Sequence, residues 1–313
     1  MLTYVLRRLL YIVLTILTVT LIVYVLVFQV GDPAINLTPV KPGMVPTKDM
    51  VDRVRKKYGL DKPVYLQYLN YLNLLAHGDM GDSYYFRRPV TEMIAEKFPN
   101  TAALSGLIVL TALIIGLPMG VFAALNKNGP FDRAIIIATT ALISMPEFLI
   151  AFGLLLIFAN KNALDLFPAK YDGTWRGWIL PVFAVALPRS FSWAIYLRSN
   201  MLNALSDDFA RTARAKGLSF VKVAMKHVLP NALIPVVAMV GMEFAYLMTG
   251  IVIIETLFTI PGIGITLQRA ASQRDIPVIM ASVLVTSIFV GVFNMIADLV
   301  IARLDPRIRL GSD

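Results

Sequence analysis

The sequence predicts an all-α integral membrane protein with six transmembrane helices. Of its 313 residues, 57% are hydrophobic and only 16% carry a charge, and the mean hydropathy is +0.69. A soluble domain usually has about 25% charged residues, so this chain has more apolar surface than a core in water can bury. It also contains six stretches that approach the roughly 20 apolar residues needed to cross a bilayer.

The first predicted span covers residues 9–30 and follows Arg7 and Arg8. Its apolar run exceeds the roughly 7–15 residues of a signal peptide and no small-residue cleavage site follows it, so we predict an uncleaved helix. Pro146 and Glu147 interrupt the third predicted span, and Arg189 lies in the fourth. The five later spans are predicted at residues 101–125, 134–159, 178–197, 232–257 and 277–304.

The distribution of basic residues predicts the orientation. The chain has 29 Lys and Arg against 20 Asp and Glu, an excess that in membrane proteins marks cytoplasmic loops and not a nucleic-acid surface. With the N-terminus inside, thirteen basic residues fall in the inner segments and five in the short outer loops. We therefore predict that both termini are cytoplasmic. The predicted regions are residues 1–30 (N-terminus and first helix), 31–100 (extracytoplasmic segment), 101–304 (helical core) and 305–313 (cytoplasmic tail).

Two helices are predicted within the extracytoplasmic segment. Residues 47–58 have Thr47 as a candidate N-cap, with acidic residues early and basic residues late, which suits the helix dipole. Residues 63–75 have an aromatic, amphipathic pattern that predicts a helix at the membrane–water interface. The segment carries ten basic residues, but loops longer than about 60 residues cross a bilayer largely regardless of charge.

The residue inventory excludes most enzymatic chemistry. Without cysteine the chain has no disulfide, thiolate nucleophile or iron–sulfur cluster, and its two histidines are too few and too scattered to predict a metal site. No Gly-Lys dipeptide occurs, so there is no GxxxxGK[ST] phosphate loop, and HExxH and GxSxG are also missing. We predict no catalytic residue, metal or cofactor, and any ATP hydrolysis must occur on a partner. The glycine-rich residues 260–265 are predicted to form a re-entrant turn in an outer loop.

The most informative stretch is the cytoplasmic loop at residues 205–235. It predicts a helix at residues 207–216, capped by Ser206 and ended by Gly217, and a second helix that starts at Ser219 and stops before Pro230. Small and apolar side chains share one face of the first helix, and basic side chains project elsewhere. The residues alone leave two interpretations open, a docking surface for another protein or a basic helix on anionic headgroups.

This loop resembles the EAA loop of permease subunits of binding-protein-dependent ABC importers, with the pattern EAA, three residues, Gly, nine residues, IxLP. Aligned on Gly217, the triplet falls on residues 211–213 and the final Leu-Pro on residues 229–230. The first two triplet positions and His227 depart from the general pattern, but RTARAKG is the form typical of peptide and nickel permeases. Further matching motifs are LRRLL (6–10), GDP (31–33), GLDKPVYLQYLNYL (59–72), HGDMGDS (77–83), IIETLFTIPGIG (253–264), RD (274–275) and DPRIR (305–309).

The chain therefore resembles the first, B-type permease subunit of a dipeptide, oligopeptide or nickel ABC importer. The resemblance implies a type I importer permease fold, called MetI-like, and import of di- or oligopeptides by alternating access. Nickel chelates, glutathione and oligosaccharides are the alternative cargoes. It implies four kinds of partner, namely a second, homologous permease in a heterodimer, two ATPase subunits that bind ATP and Mg, an external binding protein and membrane lipid. The implied ATPase-docking residues are Phe209, Ala210, Arg211, Thr212, Ala213, Arg214, Lys216, Gly217, Leu218, Leu229 and Pro230.

Charged side chains at membrane depth are candidates for the translocation pathway, because an unpaired charge there costs roughly 2.5–3.5 kcal/mol. Glu147 and Glu243 fall near the middle of predicted spans, and Met242 lies beside Glu243. The alternative is a structural ion pair, for example with Arg189. The resemblance places the outer gate at the run ETLFTIPGIG, which begins with Glu255. The candidate gate residues are Glu255, Pro261, Gly262 and Gly264.

Two rival functions remain open at this stage. A proton-coupled carrier would use Glu147 and Glu243 as proton relays and would transport without ATPases. A membrane-anchored assembly protein would depend on residues 31–100 and would tolerate changes at Gly217.

Overall fold

The computed structural model describes residues 2–29, 33–38 and 45–304. The predicted motif at Gly31 and Asp32 and the predicted tail at 305–313 lie outside the described residues. Within them the fold is all-α, and the β-structure is limited to one isolated bridge between Asp82 and Pro89. The helices are α1 (Leu2–Gln29), α2 (Pro33–Leu37), α3 (Lys48–Lys57), α4 (Val64–Ala76), α5 (Val90–Leu125), α6 (Pro130–Ile143), α7 (Glu147–Phe158), α8 (Arg176–Ser206), α9 (Asp208–Ala215), α10 (Phe220–Val223), α11 (Leu229–Gly250), α12 (Val252–Phe258), α13 (Ile263–Gln273) and α14 (Ile276–Leu304).

Five segments among the described residues are long and apolar enough to span a bilayer. They are Leu6–Leu26, Val90–Leu125, Arg176–Ser206, Phe220–Leu247 and Ile276–Val300. Helices α6 and α7 pass the same test together, although they meet at an angle of 103°. The predicted all-α membrane fold is confirmed, and the number of spans is six when this bent pair counts as one.

The bend between α6 and α7 follows from Pro146, which occupies the N-cap of α7 with extended backbone dihedrals. Proline lacks an N–H and disfavours helical geometry in the residue before it, so Pro146 favours an end to α6 and a new start at α7. Glu147 becomes the first residue of α7, where the positive end of the helix dipole favours a carboxylate. The interruption predicted from the sequence is therefore a bend between two helices.

Both helices predicted in the extracytoplasmic segment are confirmed, as α3 and α4. Thr47 occupies the N-cap position of α3, although its side chain makes no capping hydrogen bond. Helix α5 begins at Val90, so it contains the predicted span at residues 101–125 and extends beyond it. Hydropathy reports only the apolar part of a helix, and for that reason the earlier turns were not predicted.

The prediction that residues 260–265 form a turn was wrong for the second half of that run. Helix α13 begins at Ile263, so the glycine-rich run ends in a helix and has helices on both sides. Thr259 and Arg274, with φ of 57° and 54°, end α12 and α13 in the left-handed region. The glycines suggested a turn, but the amphipathic residues that follow them determine the helix.

The chain divides into two compact units. The first contains Met1–Thr101 and Pro261–Gly291, and the second contains Ala102–Ile260 and Val292–Asp313. In the first unit, the rings of Tyr24, Tyr68 and Tyr71 pack with Met280 in one buried cluster. The second unit has its main cluster around α8, with Trp193, Phe258 and their neighbours fully or almost fully buried.

A buried carboxylate joins distant parts of the first unit. Asp275 is fully buried and accepts hydrogen bonds from the Ser83 hydroxyl at 2.5 Å and from the backbone N–H groups of Tyr84 and Tyr85, both at 3.1 Å. The Ser83 hydroxyl accepts in turn from the N–H of Phe86 at 2.8 Å. A buried carboxylate needs donors of this kind, so the network ties the loop after α4 to the start of α14.

In the second unit, α5 and α8 approach too closely for side chains at two positions. A Cβ added to Gly116 would lie 2.6 Å from the carbonyl oxygen of Ser190, and one added to Gly120 would lie 2.6 Å from that of Ala194. Small residues four apart allow this kind of backbone contact between membrane helices. The two glycines therefore set the distance between α5 and α8.

Candidate functional site

The loop between α8 and α11 contains the predicted short helix as α9. Its N-cap is Asp207 and not Ser206, so the predicted start was one residue early. Gly217 has φ of +83°, which confirms the left-handed position predicted to end this helix. The prediction that the next helix stops before Pro230 was wrong. A π-helical turn at Ala224–Val228 runs without a break into α11, so the helix continues through Pro230.

The small residues of α9 face the inside of the loop. Ala210 is fully buried and Ala213 is 7% exposed, and both pack in one cluster with Leu205 and Val223. The expectation that the small residues form an exposed surface for close approach by another protein was therefore wrong. A helix of eight residues needs an apolar face to stay on its own protein, and Ala210 and Ala213 provide it.

The basic residues of α9 differ in what they do. The Arg214 guanidinium donates to the carbonyl oxygen of Leu205 at 2.9 Å, so it ties α9 to the end of α8. Arg211 is exposed and lies 3.5 Å from the Asp208 carboxylate, a surface contact that contributes little stability. Lys216 is also exposed.

The remaining predicted loop residues are divided between interior and surface. Thr212 is exposed and donates to the carbonyl oxygen of Asp208 at 2.8 Å. Leu218 and Leu229 are partly buried against the same cluster as the two alanines, and Pro230 is exposed. The loop is therefore held together from inside by residues that were predicted to face a partner.

Four large apolar side chains of this loop are exposed. They are Phe209 at 40%, Phe220 at 43%, Val221 at 56% and Met225 at 44%. We call them the exposed apolar residues of the loop. Only Phe209 was predicted from the sequence. A signal for the other three was present in the sequence. Apolar residues occur on every side of the short stretch after Gly217, and a single buried face would not need so many.

A second cluster brings together three charged residues from α7, α8 and α11. The Arg189 guanidinium donates through Nη1 to a carboxylate oxygen of Glu147 at 2.6 Å and through Nε to Glu243. Nη1 also donates to the carbonyl oxygen of Val185 at 3.2 Å, and the guanidinium lies 5.9 Å from the ring centroid of Tyr246. The structure thus contains the ion pair with Arg189 that the sequence left as an alternative for both acids.

The Arg189 cluster is closed on one side and open on the other. The Arg189 side chain is 9% exposed, whereas those of Glu243 and Glu147 are 24% and 41% exposed. Met242 and Tyr246 are largely exposed. One guanidinium faces two carboxylates, so the cluster carries one net negative charge on its accessible side.

The predicted gate residues occupy different environments. Glu255 is fully buried in the second unit, at the start of the turn in which its carbonyl oxygen accepts from the N–H of Ile260 at 2.8 Å. In the first unit, the carbonyl oxygen of Pro261 accepts from the Asn100 side chain at 2.9 Å. There Gly262 is the N-cap of α13, and Gly264 lies in its first turn.

Comparison with known proteins identifies the family. Residues 116–310 match the family described as "Binding-protein-dependent transport system inner membrane component", and residues 1–105 match its N-terminal domain. The chain belongs to this family. It is a permease component of the ABC importers of the peptide and nickel group, a multi-pass protein of the inner membrane.

Curated relatives of this permease cover its whole length. The glutathione transport system permease protein GsiC of Escherichia coli K12 is 36% identical over 310 residues, which is 99% of each chain. The GsiC proteins of Shigella dysenteriae and Salmonella typhi show the same identity and coverage. The match therefore extends over α9, α10 and the three helices that carry the Arg189 cluster.

Proposed function

We propose that this permease forms one half of the membrane channel of an importer for short peptides and that separate ATPase subunits drive it. Its membership of a binding-protein-dependent family supports an external binding protein and ATPases as partners. The glutathione named for its relatives is a tripeptide, which supports peptides of two or three residues as cargo. A second, homologous permease completes the channel, and both termini lie in the cytoplasm.

The observation that carries the proposal is the construction of the loop around α9. Its small residues and Arg214 fasten it to the end of α8, while the exposed apolar residues of the loop point away from the chain's own core. A contiguous patch of large apolar side chains on a protein surface marks a site of interaction, and Phe220, Val221 and Met225 lie close together in the sequence. A helix fixed to a transmembrane helix on one side and held by an ATPase on the other transmits motion between them.

The same loop could instead lie on anionic lipid headgroups, as the sequence left open. That alternative depends on basic residues, whereas docking depends on Phe209 and its apolar neighbours. Replacing Phe209 removes apolar contact and leaves the charge of the loop unchanged. The two alternatives therefore respond differently to one substitution.

We test docking with Phe209→Ala in the importer reconstituted with its ATPases and binding protein. Truncating an aromatic residue at the centre of an interface costs about 2 kcal/mol or more, so ATP-driven uptake should fall roughly thirtyfold. Trp175→Ala is the matched control, because Trp175 is 72% exposed and lies in the predicted outer loop. Uptake that is unchanged by Phe209→Ala, with normal membrane insertion, would contradict docking at this loop.

For the pathway, we propose that the open side of the Arg189 cluster lines the route of the cargo. A carboxylate that faced lipid would cost roughly 2.5–3.5 kcal/mol, so the exposed faces of Glu147 and Glu243 belong against water or the second permease. The net negative charge suits the ammonium group of a peptide, with Met242 and Tyr246 beside it. Glu255, Pro261, Gly262 and Gly264 are proposed to form the outer gate.

Uptake of competing cargoes tests the pathway proposal. Glu243→Gln should reduce uptake of a dipeptide or glutathione by about tenfold, because the loss of one charge-assisted contact weakens binding by about that factor. The variant should still hydrolyse ATP. The control is Glu92→Gln, an exposed acid in the first turn of α5. Unchanged uptake would contradict a role in the pathway and would indicate that Glu243 has only a structural role. Uptake that proceeds without ATPases and follows a proton gradient would instead support the rival carrier.

A further inference from the structure

The first unit contains a second candidate binding site, separate from the transport pathway proposed above. A cleft of about 690 Å³ opens between the end of α3, helix α4, the loop that follows α4 and the start of α14. Its size lies within the range of roughly 300–1,000 Å³ of small-molecule sites. Tyrosine, lysine and aspartate side chains line it.

One buried polar group in the wall of this cleft has no partner. The Tyr71 hydroxyl is inaccessible to solvent and makes no hydrogen bond to any residue in the described part of the chain. Tyr71 as a whole is 8% exposed, and its burial raises the pKa of its hydroxyl above the usual value. It is therefore a neutral donor. An unsatisfied buried donor costs about 1–3 kcal/mol, which a ligand acceptor would recover.

Charges of both signs line the cleft without pairing. Lys56, Lys57 and Lys62 form no ion pair with any described acidic group, and the cleft is also lined by Asp61 and Asp79, which form none with described bases. Lys57 lies over the ring of Tyr58 at 5.3 Å. Unpaired opposite charges around one cavity suit a ligand that itself carries an anion and a cation.

The floor of the cleft reaches the membrane boundary. Tyr24 lies near the end of the Leu6–Leu26 span, and Met280 lies near the start of the Ile276–Val300 span. Tyr65 and Leu69 project from α4 with 65% and 56% exposure, as expected for a helix at the interface. The cleft is therefore lined both by polar groups of the extracytoplasmic segment and by residues near the ends of two spans.

We propose that this cleft binds the headgroup of a zwitterionic phospholipid such as phosphatidylethanolamine. Its phosphate would contact the three lysines and, once the Tyr71 ring turns toward the cleft, the Tyr71 hydroxyl, and its ammonium group would contact Asp61 and Asp79. The acyl chains would leave the cleft toward the bilayer. None of the residues that line the cleft belongs to the Arg189 cluster or to the proposed outer gate.

The test measures lipid binding to the purified full-length permease in detergent by native mass spectrometry. The probes are phosphatidylethanolamine, phosphatidylglycerol, water-soluble glycerophosphoethanolamine and dialanine. The triple substitution Lys56→Gln, Lys57→Gln and Lys62→Gln should weaken phosphatidylethanolamine binding by at least about tenfold, since each lysine near the phosphates contributes of order 1 kcal/mol. Tyr71→Phe, which keeps the packing, should weaken it about fivefold.

The matched control is a triple substitution at exposed lysines outside the cleft, namely Lys48→Gln, Lys161→Gln and Lys170→Gln, which should leave binding unchanged. Equal losses in both triple variants, or unchanged binding in the Tyr71→Phe and cleft variants, would overturn the proposal. Tighter binding of phosphatidylglycerol would overturn the zwitterionic assignment. Binding of the soluble headgroup or of dialanine as tight as that of the lipid would overturn the assignment to a phospholipid.

Discussion

The close contact between α5 and α8 makes a specific prediction about two glycines. In Gly116→Ala the new methyl group would lie 2.6 Å from a backbone oxygen, whereas ordinary contact begins at 3.4 Å. A backbone atom cannot rotate away, so the two helices must separate by most of an ångström. Overpacking of this kind costs about 1–3 kcal/mol, offset by roughly 0.5–1 kcal/mol for removing a helical glycine. We expect the free energy of unfolding to fall by about 0.5–2 kcal/mol in total.

The assay is thermal unfolding of the purified permease in detergent, where 1 kcal/mol corresponds to about 2–4 °C. Gly106→Ala is the matched control on the same helix, because nothing lies within 4 Å of a Cβ at Gly106, and this variant should gain stability. Gly116→Ala combined with Gly120→Ala should cost less than the sum of the single changes, since one separation of the helices relieves both. Equal shifts for Gly106→Ala and Gly116→Ala would refute the reasoning.

Two further variants test the charged clusters by the same assay. Arg189→Gln should lower the free energy of unfolding by about 3–5 kcal/mol because it leaves two neighbouring carboxylates without their cation. Glu147→Gln should lower it less because Glu147 is 41% exposed. Equal losses would contradict the central position of the arginine. Asp275→Ala should cost roughly 1–3 kcal/mol or more because the Ser83 hydroxyl and two N–H groups lose their acceptor. The exposed Asp61→Ala should change little, and a loss as large as that of Asp275→Ala would contradict this account.

The transmembrane architecture could be predicted because its signal is local. A run of about 20 apolar residues fixes a spanning helix whatever surrounds it, and Pro146 and Gly217 act on the backbone at their own positions. The loop after α12 shows the limit of this reasoning. Its glycines favour a turn, but α13 begins at Ile263 because the residues after it form an amphipathic helix.

The candidate sites could be predicted only in part, because burial depends on residues far away in the sequence. The sequence assigned Phe209, Ala210 and Ala213 to one helix face, and nothing local indicates that the two alanines pack on Leu205 and Val223 while Phe209 stays exposed. The sequence offered an ion pair with Arg189 as one alternative for Glu147 and Glu243, and the fold shows that a single guanidinium contacts both. The network around Asp275 joins residues 190 or more positions apart, and no sequence pattern predicted it.

The central claim is that a separate ATPase holds the loop around α9. Because the chain has no cysteine, Phe209→Cys introduces a single thiol, and a short photoreactive crosslinker attached there reports what touches the loop. In the assembled importer we expect a crosslinked product that contains the permease and an ATPase subunit, and none from Trp175→Cys in the predicted outer loop. A crosslink to lipid alone, or to the ATPase from both positions equally, would contradict the account.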